Sequence, residues 1–536
     1  MRRIGSASVL LALLLGLGAC GSKDGGGGND HGIAIEPVRI TLSYGNNSRP
    51  YMPSPSSVAT QVAIALRDVG FDVTLDKKEW ASYLQMVKNG EHQMALLGWS
   101  ADYPDADNFL YVLLDKDNAV PGRANNISFY TSDEVHERLM AARNTHDRAE
   151  RTRLYHEAQE IIFEDCPMIP LVYTEKAIAY RKGFGPLGVE AMSHPILRLV
   201  TEPVDGTLSY LRGQDSVRLD PGDVSDGESS KVIEQVFDTL LRFKPGTTEV
   251  EPSLATSWTS SEDKATWTFQ IRPDVKFHDD SPVDGAAVVN AFERQRDPEH
   301  PHHFKDGAWE FWHGLFGFVK QVRLGAHPME VVFELDGPAP PFFLGQLAQF
   351  SSSIPSKAAL DKLGKDFRSN PVGSGPFKFV RWETGVSIHL ARNDAYWDGA
   401  PKLASVVFRN SNDPTVRSRR LRTNKDADLI DNIDPETVPQ LEQDGDIEVA
   451  RMPGVNVGYL AMNTTKKPFD DKRVRQAVAY ALNKARIIKL SYRGLAKQAT
   501  TPVPPTLPGH NGSIVDRKRD AKKARELLRD AGFGKK

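Results

Sequence analysis

The stretch VRITLSYGNNSRPYMPSPSSVATQVAIALRDVGFDVTL, Val38 to Leu75, decides the fold class. It opens on a β-rich run, Val38–Tyr44, and passes into a long loop of Gly, Asn, Ser and Pro. Val58, Val62, Ala65 and Leu66 then fall on one face of a helix predicted over Ser57–Val69. After Gly70, FDVTL reads as a second strand. Strand, helix and strand in so short a span form a βαβ unit, which calls for a parallel or mixed sheet. The chain therefore reads as α/β.

Working outward, Asp147 and Glu150 form a capping pair for a later helix whose stripe is Leu154, Ala158, Ile161 and Ile162. From Thr207 the texture turns to alternating strands, as in TWTFQIRPDVKFHDD (266–280). Helices return at Asp471–Leu482 and at Arg519–Ala531, the last stopping at Gly532. At 536 residues the chain needs two or three domains. Its 67 Lys and Arg against 70 Asp and Glu leave a net charge of −3, which argues against nucleic acid as main partner.

The beginning reads as a targeting segment. Two arginines precede the apolar run Val9–Leu17, too short to span a bilayer, and the run ends in LGAC at Cys20. A small-residue pair before that cysteine resembles the lipobox of bacterial lipoproteins, so residues 1–20 are expected to be a signal peptide and Cys20 the lipidation site. The Gly-rich run after it makes 21–37 a flexible tether. The expected location is periplasmic or on the extracytoplasmic face, anchored through Cys20. With Cys20 committed to lipid, Cys166 has no partner for an intramolecular disulfide and reads as a plain buried thiol.

Catalytic motifs are weak. HExxH, GxSxG and GxxxxGK[ST] do not occur. His300, His302 and His303 sit in a proline-broken loop. The aspartates of GWSADYPDADNF (98–109), Asp102, Asp105 and Asp107, lack the calcium-loop spacing. No metal, no cofactor and no enzyme activity are expected. The three aspartates beside Trp99 leave a ligand's cation or a helix cap as their reason, and Asp105 and Asp107 fit caps.

Several long segments resemble one family. WTFQIRPDVKFHDDSPVDGAAVVNAFER (267–294), NPVGSGPFKF (370–379), NDAYWDGAPKL (393–403) and PGVNVGYLAMNTTKKPFDDKRVRQAVAYALNK (453–484) are similar to the family 5 extracellular solute-binding proteins, which serve peptide ABC transporters. GEHQMALLGWSAD (90–102) and SRPYMP (48–53) resemble the family's dipeptide-binding branch. The segments run in a different order, however. TLSYLRGQDS (207–216), which opens the mature protein in the family, follows IPLVYTEKAIAYRKGF (169–184), and LLRDAGF (527–533) stands at the far end although VRITLSY follows it in the family. The order reads as a circular permutation joined near Pro203–Gly206.

The resemblance implies a two-lobed periplasmic-binding-protein fold (type II, large peptide-binding class) with an extra side domain. One lobe is expected from 38–170 plus 455–536, the second from 171–239 plus 371–454, and the side domain from 240–370. Ligand is trapped between lobes that close about a hinge. It further implies that Asp102 meets a dipeptide's α-ammonium and Arg49 its carboxylate, with Trp99 walling the cleft and Tyr51 helping from the RPY loop. The chemistry is sound on its own terms. A dipeptide carries opposite charges about 7 Å apart, and enclosing both is costly unless each is paired. Charge-assisted bonds of this kind contribute about 1.5–3 kcal/mol each. Ala101 departs from the glycine frequent in the family before that aspartate, and Tyr103-Pro104 adds bulk behind it.

The implied protein is a monomeric lipoprotein that hands dipeptides or short peptides to ABC permease subunits. The alternatives are a ligand sensor on the same fold, a receptor for haem or another small solute, and an extracellular hydrolase.

Overall fold

The computed structural model describes residues 37–185, 187–189, 194–307 and 309–533. The signal segment, Cys20 and the tether up to residue 36 lie outside the described residues. Val38–Gly45 pairs in parallel with Phe71–Lys78 on one side and with Met94–Ser100 on the other. The helix between the first two runs Pro55–Arg67, starting before Ser57 and stopping short of Val69. Pro55 fits the first turn because an N–H there has no intrahelical partner to lose. Val58, Val62 and Leu66 are fully buried, whereas Ala65 is half-buried at the rim of the same core.

The later helices are tied to their caps. Asp147 accepts from the backbone N–H of Ala149 and Glu150 at the start of Arg148–Asp165. Glu150 does not reach back to it: its carboxylate binds Arg153 one turn on, so half of the predicted capping box forms. Asp471 and Asp520 cap the helices Lys472–Ala481 and Ala521–Asp530. The left-handed Gly532 (φ 90°) then ends the latter.

One twelve-stranded sheet runs through the molecule. At its middle lies the strand Met168–Arg181. Its first part pairs antiparallel with Asn456–Met462, and its second part pairs with Leu429–Ile430 and Ile447–Pro453. Beyond Asn456–Met462 the order is Met94–Ser100, Val38–Gly45 and Phe71–Lys78. On the other side it is Thr207–Arg212, Ser405–Asn410, Ser387–Arg392 and Phe377–Glu383. The fold is thus mixed α/β and two-lobed, with the two halves of the sheet joined through one strand.

The cores follow the same division. Two buried clusters draw on residues between 38 and 173 and between 455 and 528. Two more draw mainly on 177–452. A fifth packs around a separate antiparallel sheet, Ala255–Ser260, Thr266–Ile271, Glu330–Leu335 and Val319–Leu324, covered by the helix Gly285–Arg296. Thr266–Ile271 alternates half-buried and buried side chains, the period-2 pattern its sequence carries. Phe304, Trp309, Leu360 and Phe367 pack into the neighbouring second-lobe core, not into this one.

The helix Ala521–Asp530 is stitched to the start of the chain. Arg519 pairs with Asp68 at 2.5 Å, Arg525 donates to the Asp68 carbonyl at 2.7 Å, and Leu528 shares a core with Val38, Val69 and Phe71. Leu528→Ala should therefore cost about 2–5 kcal/mol. A urea melt should show this, with exchange protection lost first from the amides of Val38–Gly45.

Candidate ligand-binding site

Met94–Ser100 ends its pairing at Ser100, and the chain leaves the sheet edge to enter a cleft of about 470 Å³. The Ala101 N–H donates to the Val455 carbonyl at 2.9 Å, which pins the departing chain where Ile447–Pro453 turns into Asn456–Met462. Asp102, the next residue, lines the cleft. Its own N–H is held by Asn108 Oδ1 at 2.9 Å, and the same oxygen accepts from Trp99 Nε1 at 2.8 Å. Asn108 is buried, so one amide fixes both the indole and the backbone of Asp102.

The charges in the cleft are mostly spoken for. Asp238 accepts from Ser374 Oγ at 2.8 Å, Tyr396 Oη at 2.9 Å and Trp397 Nε1 at 3.0 Å. Arg242 is shared between Glu251 and Asp398, and Arg198 also faces Asp398. Glu234 meets His194 Nδ1 at 2.8 Å. Burial pushes the Glu234 carboxyl up to about 8, against the opposing pull of Lys176. Asp102 is different. Among the described residues it makes no ion pair, and its carboxylate takes one long bond, 3.5 Å, from Asn108 Nδ2. Burial raises its pKa above the ordinary 3.8, with that bond opposing. A half-buried carboxylate so poorly matched can accept a cation.

Arg49, Tyr51 and Trp99 do not line this cleft, although Pro50 does. Arg49 lies with its guanidinium 3.9 Å above the Trp80 ring, has no ion partner among the described residues, and leaves its buried Nε without a hydrogen bond. Its loop is closed on itself by paired backbone bonds between Arg49 and Met52. Tyr51 packs flat on Gly98, and Tyr492 Oη donates to the Tyr51 carbonyl at 3.2 Å. Burial pushes the Tyr51 hydroxyl up to about 12, with Arg49 opposing. Trp99 packs against a first-lobe core. Of the four residues singled out from the sequence, the structure brings Asp102 to the cleft; Trp99 lies in the strand that leads to it, Tyr51 packs on that strand at Gly98, and Arg49 lies on Trp80.

The other two aspartates are structural. Asp105 accepts from the Asp107 N–H at 2.8 Å at the start of the helix Asp107–Leu114, and both its oxygens take Arg151 nitrogens at 2.7 Å. Asp107 is buried between Tyr103 Oη at 2.8 Å and Arg143 at 3.3 Å, and burial raises its pKa to about 6. His302 contacts Asp361 and Asn290, and His303 stacks on Trp309. The Cys166 thiol is buried, and burial raises its pKa.

Sequence reasoning missed Asn108, Asn456 and the second-lobe wall of Glu234, His194 and Asp238. Asn108 had a local signal, as a buried amide one residue into a helix. The wall had none, because its partners are remote in the chain.

The family described as bacterial extracellular solute-binding proteins, family 5 Middle, matches residues 17–120 and 249–536, more than half of the chain. The chain belongs to that family. It is 37% identical over 317 residues to the dipeptide-binding protein of Escherichia coli, covering 56% of this chain and 58% of that protein. It is 32% identical over 345 residues to heme-binding protein A of Haemophilus influenzae, covering 61% of this chain and 62% of that protein. Among solved structures, the periplasmic binding protein DppA of Helicobacter pylori in complex with peptide STSA is 33% identical with a TM-score of 0.51, covering 62% of this chain and 67% of that one. The chain thus spans about three fifths of the length of the curated relatives it matches. Among the described residues, no helix is long and apolar enough to cross a membrane.

The contact between Tyr51 and the Asp102 strand is testable. A Cβ at Gly98 would lie 2.2 Å from the Tyr51 ring and 2.7 Å from the Val457 carbonyl. Gly98→Ala should destabilise the protein by about 1–3 kcal/mol in urea unfolding, and it should expose Tyr51 to solvent in its fluorescence.

Proposed function

We propose that this protein is the substrate-binding lipoprotein of an ABC importer, anchored through Cys20, that captures dipeptides or short peptides between two closing lobes. It binds ligand and performs no reaction on it. The observation that carries this is Asp102: a half-buried, cleft-facing carboxylate with no ion partner among the described residues. A peptide's α-ammonium supplies the missing charge. Arg49, on the same lobe, also has no ion partner among the described residues; it is stacked on Trp80 and precedes the cleft-lining Pro50. Its guanidinium lies outside the cleft lining, and a swing of the side chain past Pro50 would bring it to the carboxylate at the peptide's other end, in the bidentate mode that arginine favours.

Phe311 and Phe350, ring centroids 5.4 Å apart, add an apolar wall that accepts side chains without reading them closely. Membership of the family and the likeness to the E. coli dipeptide-binding protein support this reading. The heme-binding relative supports the alternative of another small solute less well, because the Asp102 and Arg49 chemistry matches a peptide's two ends.

We read the chain as a circular permutant. The order of its family-like segments supports this, and so does the packing of Ala521–Asp530 against Val38 and Val69. A loop from Phe533 to Val38 would then restore the family's order.

Calorimetric titration of the body after Cys20 with dialanine and with N-acetyl-dialanine tests the function. Dialanine should bind, and acetylation or Asp102→Asn should weaken binding by at least 1.5–3 kcal/mol, roughly ten- to hundredfold. Equal affinity for both compounds would remove the ammonium site. No binding of either by folded protein would overturn the dipeptide reading and favour haem or a sensor role.

A further inference from the structure

Tyr103 follows Asp102 directly, yet it belongs to another domain's core. Among the buried members of the side-domain cluster it is the one residue from outside 240–354. Its ring stacks on Phe342 with centroids 4.4 Å apart and planes 24° from parallel. Its hydroxyl points the other way, donating to Asp107 at 2.8 Å, and Asp107 is fixed in turn by Arg143. The ring is thus held by the first lobe at one end and by the side domain on its face.

A second contact lands on the same short segment. His146 Nε2 meets the Ala339 carbonyl at 3.0 Å, and the Ala339 N–H is tied to the Lys264 carbonyl at 2.9 Å, in the turn before Thr266–Ile271. Residues 339–342 therefore receive the first lobe at two points, one aromatic and one polar.

We propose that Tyr103 and Phe342 form a clasp that holds the cleft closed, with Tyr103 as the positioning residue that makes the placement of Asp102 depend on the side domain. The link to ligand rests on Asp102 being the ammonium site. Opening the cleft pulls the Tyr103 ring off Phe342 and exposes two large apolar faces, so the open form carries a cost beyond the ligand contacts themselves. Because Tyr103 is bonded to Asp102 through the chain, any shift of the side domain is transmitted to the carboxylate within one residue. The side domain, which lies off the main sheet, thereby acquires a role in ligand retention.

The test is dialanine binding kinetics on wild type, Tyr103→Ala, Phe342→Ala and the double variant, with small-angle scattering of each with and without ligand. An aromatic pair of this kind corresponds to roughly three- to tenfold in rate. Each single variant should speed dissociation by about that factor and leave association nearly unchanged. The double variant should be little worse than the poorer single one, because both remove one contact.

Unchanged dissociation in Phe342→Ala, or fully additive effects, would overturn the clasp. Tyr103→Phe keeps the ring and removes the bond to Asp107, so near wild-type dissociation in it supports the stack as the working contact, whereas loss equal to Tyr103→Ala would overturn it. If wild type binds no dipeptide, the ammonium reading fails. The clasp is then read from the ligand-free proteins alone: a larger radius of gyration in Phe342→Ala supports it, and an identical one overturns it.

Discussion

Both lobes hang on one strand. Met168–Arg181 gives its first residues to the first-lobe half of the sheet and its last to the second-lobe half, so hydrogen bonding is continuous across the boundary. At the changeover, Thr174 donates from its backbone N–H and its hydroxyl to Asn456 Oδ1, at 3.1 and 2.7 Å, and the Gly454 N–H returns a bond to the Thr174 carbonyl at 2.9 Å. The second passage between lobes, through Val455 and Asn456, is locked to the first. Two strand passages held this close together are the arrangement from which a hinge keeps its axis while the bodies it joins stay rigid.

That constraint sets the site. Val455 receives the Ala101 N–H, and Asn456 and Lys176 line the same cleft as Asp102. Asp102 therefore follows directly on the residue bonded to the second strand passage. Asp238, Glu234 and Arg242 in the same cleft are already partnered, so on the proposed reading closure without a ligand leaves the Asp102 carboxylate poorly matched. A ligand that supplies a cation relieves this mismatch.

Local features of the fold were legible in the sequence. The βαβ unit from Val38 reads from periodicity because strand, helix and strand are contiguous, and the cap at Asp147 reads from a side chain that bonds within three residues. Helix ends were misjudged by one to two residues, as at Pro55, because frayed turns and caps share residue types. The sheet order was not legible, since Met168–Arg181 pairs with strands whose partners lie far along the chain. Asp102 and Arg49 stood out through resemblance, but periodicity says nothing of what else faces a cleft. The pairing of Arg242 with Asp398, or of Tyr103 with Phe342, is a fact of tertiary packing that neither residue announces.

The proposed function rests on Asp102 being a half-buried, poorly matched carboxylate that takes a ligand's cation. Carbon-13 NMR of its carboxyl, followed through acid titration of the protein with and without saturating dialanine, tests this most directly. The account predicts a pKa above the ordinary 3.8 in the free protein and a marked drop when dialanine is bound, because an ammonium partner favours the charged form. A pKa that does not move on binding, or that is already low in the free protein, would contradict it.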